Sequence, residues 1–308
     1  MEAVLIANEK GGTGKTATAV CLANALVNLG YRVCAVDFDP SGNLSAGALP
    51  DFPEYVLYDV FTGACTLDDA IYHTEICDII PTIKELELDV GPADAFLLGT
   101  KDSKSLSRLA ERLIGRAGAE QALSSLLRSH KHGLADRYDF IIVDSAPSDN
   151  ILVTNAIVAA DSVLIPCEPS ADSLDGVWKF MSSMLAASRN YVGAHAKIDG
   201  IVLAKCSEEY GSYRSSIQDI RNAAEARELY LYNTRMRMSA NVPDAMRNCR
   251  PIMSYLHTPG NAAVDALNLA LEFLESRGLN PKTEIPGVRQ TEDGHWRYER
   301  PAKKGTEK

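Results

Sequence analysis

Long apolar runs are missing from this sequence, and their absence excludes a membrane-spanning helix, which needs about 18 or more consecutive apolar residues. Room for a leader is missing too. Met1 runs straight into an apolar stretch and a glycine-rich loop, so no signal peptide is expected. The 7 cysteines include no C-x-x-C pair, which removes zinc-ribbon and dithiol readings. Cys21, Cys34 and Cys167 lie in apolar runs and are expected as reduced, buried thiols of a cytoplasmic protein. Basic residues are in deficit: 31 Lys and Arg face 41 Asp and Glu, a formal net charge of −10. Taken alone, that balance argues against a nucleic-acid partner.

What is present is an ordinary globular composition, 46% hydrophobic and 23% charged, in 308 residues, enough for one large α/β unit. The charge is segregated. Residues 41–100 carry eleven acids against Lys84, whereas residues 200–260 carry eight bases against six acids, so a basic face remains open. Short, apolar, mostly unalternating stretches at 3–7, 32–38, 76–80, 140–144, 162–166, 198–204 and 229–232 read as strands buried on both faces. Helical patterns lie between them at 15–29, 103–128, 150–159, 173–191, 213–227 and 261–277. The alternation predicts an α/β fold, a doubly wound, mostly parallel sheet with helices on both faces. The longest irregular stretch is 40–100. From Gly278 the sequence turns polar, with Pro281, Pro286, Gly287 and Gly294, which predicts one domain over 1–278 and a loosely packed tail over 279–308.

The most informative segment is VLIANEKGGTGKTATAVCLANAL, residues 4–26. A strand feeds a loop that opens a helix at Lys15 and Thr16. Gly11, Gly12 and Gly14 let successive N–H groups converge on phosphate oxygens, and the helix N-terminus adds partial positive charge. In this pattern Lys15 reaches the β/γ-phosphates and the Thr16 hydroxyl ligates magnesium, with Thr13 and Ala17 completing the cradle. The general G-x-x-x-x-G-K-[ST] pattern is broken once, by Glu9 at its first glycine. A solvated turn with incidental lysines is the bland alternative, and three glycines, two lysines and a threonine in strand-loop-helix context make it the poorer one.

The string KGGTGKT resembles the deviant Walker A motif of the ParA/MinD family of P-loop ATPases, which carries a signature lysine at the place of Lys10. The resemblance implies the P-loop NTPase fold, ATP and Mg2+ as cofactors, and a homodimer in which Lys10 crosses to the partner's nucleotide. Two further stretches follow in the family's order. VDFDPSGN resembles its D-x-D-P-Q-G-N switch with Ser41 in place of Gln, which gives Asp39 the attacking water and a place at the metal. DSAPS resembles D-x-P-P-S with Ala146 in place of the first Pro, which makes Asp144 the carboxylate that holds magnesium through water. The adenine contacts implied are Lys205, at a strand end, and Met236, in a loop over 234–238 that reads Met236-Arg237-Met238 here.

Resemblance to the ParA branch also implies ATP-dependent, sequence-independent binding to DNA at the nucleoid, in plasmid partition or chromosome segregation, with slow hydrolysis stimulated by a centromere-binding partner protein. Arg214 and Arg221, seven apart on one predicted helix, with Arg235, Arg237, Arg247 and Arg250 in adjacent loops, are the candidate phosphate contacts. Glu225 and Glu228 interrupt the run, so a mixed solvated face is the competing reading. The tail has no apolar stripe for a membrane-surface helix. The alternatives are a cargo-positioning ATPase of the same fold acting on a protein, and a P-loop small-molecule ligase, which would not need Lys10. Residues 101–137 exceed the usual length of their equivalents and are a candidate partner-specific segment.

Overall fold

Buried strands demand cover on both faces, and the computed structural model, which describes residues 1–82, 106–114, 116, 118–147, 150–170, 172–207 and 211–299, supplies it. β1 (Glu2–Ile6), β2 (Val33–Phe38), β3 (Tyr72–His73), β4 (Asp78–Ile80), β5 (Phe140–Ser145), β6 (Ser162–Cys167), β7 (Lys197–Cys206) and β8 (Leu231–Arg237) form one sheet in the order 3-4-2-5-1-6-7-8. β3 runs antiparallel to β4, and the remaining pairings are parallel.

Alternate side chains of each strand enter opposite cores. Ala3, Leu5, Ile141 and Val143 face one, and Val4, Ile6, Phe140 and Ile142 the other. The first core is covered by α3 (Leu57–Thr62), α4 (Leu106–Leu113), α5 (Ala122–Leu127), α6 (Leu134–Arg137), α7 (Ile151–Ala159), α8 (Ser173–Asn190) and α9 (Gly211–Glu225). Over the second lie α1 (Lys15–Asn28), α2 (Asn43–Ala48), α10 (Asn241–Arg247) and α11 (Ala262–Glu275). α1 is enclosed by the sheet and α11, so even its polar Asn24 is buried, donating to the Ile76 carbonyl and accepting from the Met253 N–H. Among the described residues no helix is long and apolar enough to cross a membrane.

Three expectations need correction. The helix over 103–128 is broken into α4, a 3-10 turn (Ala119–Gln121) and α5, because the chain reverses at Gly118 (φ 73°); residues 103–105 lie outside the described residues. The strand expected at 229–232 starts later and runs to Arg237, so the supposed loop over 234–238 is mostly strand. The tail is not loosely packed as far as Tyr298. β9 (Val288–Gln290) and β10 (Trp296–Tyr298) form an antiparallel hairpin against α11, with Tyr298 buried and its N–H donating to Asn268 Oδ1. Within 40–100, residues 83–100 lie outside the described residues, as do 300–308.

Candidate nucleotide site

Parallel register brings the three informative stretches to one edge of the sheet. Asp144 pairs across with Ile6 on one side and Asp37 on the other, so β1, β2 and β5 end level, where open α/β sheets bind ligands. Beyond β1 the chain turns through Gly12 (φ 76°) and Gly14 (φ 87°), left-handed values that favour glycine, and enters α1. The Lys10 carbonyl is the hub of this loop, accepting from Lys15 Nζ at 3.1 Å and from Thr13 Oγ1 at 3.3 Å. Lys10 Nζ meets Ser170 Oγ at 3.3 Å. Gly11 and Gly12 are exposed, Thr13 and Lys15 are buried, and Gly14, Thr16 and Ala17 lie between. Burial lowers the Lys15 pKa, opposed by the charges of Asp144 and Asp39.

Asp144 is fully buried, and neither carboxylate oxygen has a hydrogen-bond partner. Burial and the Asp37 carboxylate push its pKa well above the ordinary carboxylate range; the Thr16 hydroxyl stands close enough to oppose the rise without closing a bond. Such a group either keeps a proton or requires a cation. With the Thr16 hydroxyl and Asp39 it offers the all-oxygen surroundings of a hard divalent cation. Among the described residues no three His, Cys, Asp or Glu side chains form a metal cage by themselves.

Asp37, near the end of β2, and Asp39, just beyond it, have different partners. Asp37 accepts from the Ser45 N–H and hydroxyl, which anchors α2, and burial raises its pKa to about 7 against those hydrogen bonds. Asp39 stands at the loop, its Oδ1 accepting the Ser41 N–H at 2.9 Å, while Gly42 (φ 68°) turns the chain into α2. Of the DSAPS stretch, Ala146 is buried and Ser148 lies outside the described residues.

Of the two adenine candidates, Lys205 lies beside the phosphate loop. It is the last residue but one of β7, in a left-handed conformation (φ 53°), and a methyl built on Gly14 would stand 3.9 Å from Lys205 Cγ. Met236 is a correction: it is buried in the core beneath α11, because β8 alternates and Tyr232 and Met236 share the inward face. The basic set also separates. Arg214 and Arg221 are exposed on α9, whose buried side is Ile220 and Ala224. Arg235 is exposed on β8, Arg247 ends α10 and Arg250 follows it, both exposed. Arg237 is committed elsewhere, since its guanidinium bonds the buried Asp265 carboxylate at 2.6 Å. A cavity of about 990 Å³ opens along the β8 edge between α11 and the hairpin, away from the phosphate loop; Glu272, Glu275 and Arg277 in its wall already have partners.

Sequence reading missed the support of the loop. Asn8 accepts the Lys10 N–H, Gly176 and Ser183 of α8 contact residues 8–10, and only the glycine inside a helical pattern was a visible signal.

A family model described as an AAA domain matches residues 1–192. The chromosome partitioning protein ParA of Caulobacter vibrioides (strain NA1000 / CB15N) is 30% identical over 277 residues, 89% of this chain and 94% of that protein. Sporulation initiation inhibitor protein Soj of Bacillus subtilis (strain 168) is 28% identical over 254 residues, 82% of this chain and 90% of that one. Among solved structures, the ATP complex of a Cyanothece McdA variant aligns with a TM-score of 0.70 at 19% identity, covering 92% of this chain and 99% of that one. The Pyrococcus furiosus cell division ATPase MinD aligns at 0.64 and 22% identity, covering 90% and 99%. At those identities the structural likeness shows a shared fold.

Proposed function

Because the chain belongs to the ParA/MinD family of P-loop ATPases, we propose that it is an ATP- and Mg2+-dependent switch. It forms a homodimer around ATP, binds DNA without sequence preference in that state, and drives DNA segregation. Hydrolysis is slow and is stimulated by a centromere-binding partner protein, in the cytoplasm at the nucleoid.

The observation that carries the nucleotide half is Asp144, buried with two unpartnered oxygens beside Thr16 and the desolvated Lys15. A magnesium–phosphate unit supplies what each lacks: a cation for the carboxylate and an anion for the ammonium. The backbone N–H groups from Gly11 to Ala17 cradle the phosphates, and Lys15 exchanges the Lys10 carbonyl for the β/γ-phosphates. The Thr16 hydroxyl and Asp144 would hold the metal, which would neutralise phosphate charge, and Asp39, just beyond β2, would orient the attacking water. Lys205 lies on the base side. Support for the DNA half comes from the 30% identical partition protein and from the exposed Arg214, Arg221, Arg235, Arg247 and Arg250.

Lys10 is the residue on which the dimer depends, and it tests the reading. Lys10→Ala is expected to keep nucleotide binding and to lose ATP-dependent doubling of mass by light scattering. A variant that dimerises like the unmodified protein would remove the trans-acting role.

A further inference from the structure

α8 approaches the phosphate loop more closely than a side chain would allow. A Cβ built on Gly176 would stand 2.4 Å from Asn8 Oδ1, 2.7 Å from Lys10 Cβ and 3.0 Å from the Lys10 nitrogen. Glycine is a poor residue for a helix interior, and the contact supplies the reason for one here. Asn8 is itself buried, donating from Nδ2 to the Pro166 carbonyl at 2.9 Å and accepting the Lys10 N–H at 2.9 Å. Two helical turns further along, Ser183 donates from Oγ to Glu9 Oε1 at 2.6 Å. Residues seven apart share one helix face, so a single face of α8 touches residues 8, 9 and 10 in turn.

What these three residues hold is the hub of the loop. The Lys10 carbonyl carries Lys15 Nζ and the Thr13 hydroxyl, and the Lys10 side chain leaves from the same residue. Shifting residues 8–10 would move both lysines together. Glu9 also occupies the place where the general phosphate-loop pattern has its first glycine, and the Ser183 bond restrains it there.

We propose that α8 positions the phosphate loop: Gly176, by having no side chain, and Ser183, by holding Glu9, fix residues 8–10 and so aim Lys10 and Lys15. Both are positioning residues that act through the loop, and the effect on nucleotide rests on the P-loop reading above.

The test combines two readouts on the full chain: backbone amide resonances of Gly11, Gly12 and Gly14 without nucleotide, and affinity for a fluorescent ATP analogue with Mg2+. Gly176→Ala is expected to shift those three resonances and to weaken affinity at least about tenfold, since misplacing a positioned group by about 1 Å can cost ~100-fold. Ser183→Ala is expected to act in the same direction more weakly. Glu9→Gln, which keeps an acceptor oxygen for Ser183, is expected to behave like the unmodified chain. Gly176→Ala with unmoved loop resonances, or with moved resonances and full affinity, would overturn the proposal, as would a lowered melting temperature with no selective change in the loop. Should Gly176→Ala fail to fold, Ser183→Ala against Glu9→Gln decides by the same criteria. If the unmodified chain binds no ATP analogue while the loop resonances still move, the nucleotide reading falls and the positioning contact stands.

Discussion

Lys15 Nζ rests on the Lys10 carbonyl, buried and with its pKa lowered by desolvation. Substituting Lys15→Ala is expected to weaken nucleotide binding by about 10- to 100-fold, the worth of a charge-assisted hydrogen bond. Unchanged affinity in a fluorescent-ATP titration would refute the phosphate-loop assignment. Asp37 gives a prediction of a different kind. Its folded pKa is raised from 3.8 to about 7, so between those values the folded chain holds a proton that the unfolded chain has released. Stability from this group therefore falls as pH rises through that window. The melting temperature of the nucleotide-free protein, measured relative to Asp37→Asn, is expected to decline between pH ~4.5 and ~7.5; a flat difference would mean that Asp37 is already ionised. At this scale position was readable from short strings: Lys15 and Thr16 open a helix and Asp144 lies near the end of a buried strand, as the local pattern predicts. The partners of a side chain were not. The resemblance singled out Asp39 in VDFDP, but nothing in that string shows that Ser45 holds the Asp37 carboxylate.

Elements buried on both sides were legible because their apolar runs are continuous; β1, β2, β5 and β6 fall within a residue or two of expectation. β8 was misplaced because it is an edge strand, where only Tyr232 and Met236 turn inward and Asn233, Arg235 and Arg237 break the run. The C-terminal hairpin was invisible, since strands of three residues are too short to show a period. Yet the segment before it straps the end of α1. The Lys282 and Thr283 N–H groups both donate to the Leu29 carbonyl, and Lys282 Nζ reaches Asp139 at 3.0 Å. Gly30 (φ 88°) makes room, because a methyl there would stand 2.5 Å from Thr283 Oγ1 and 2.9 Å from Lys282 Cβ. Gly30→Ala is therefore expected to cost about 1–3 kcal/mol by urea unfolding. In a chain ending at Gly278 the same substitution is expected to cost distinctly less, which isolates the strap from the strain of the left-handed backbone. Equal costs in both backgrounds would show that the strap contributes nothing.

Over the whole molecule, a formal charge of −10 opposes binding to DNA, and the candidate arginines are dispersed over α9, β8 and the end of α10. The proposed pairing of two protomers on ATP would double that set, which is why binding should depend on the nucleotide. Arg237, locked to Asp265, is excluded from it, a point that no charge count in the sequence could reveal. Binding should follow phosphates rather than bases and thus be indifferent to sequence. The most direct measurement is duplex affinity by fluorescence anisotropy, titrated against NaCl with Mg-ATP and again with Mg-ADP. The account predicts tight binding with ATP alone, falling steeply with salt, and lost in the Arg214→Glu, Arg221→Glu double variant while ATP turnover without DNA persists. Equal affinity in both nucleotide states, or no binding at low salt, would contradict it.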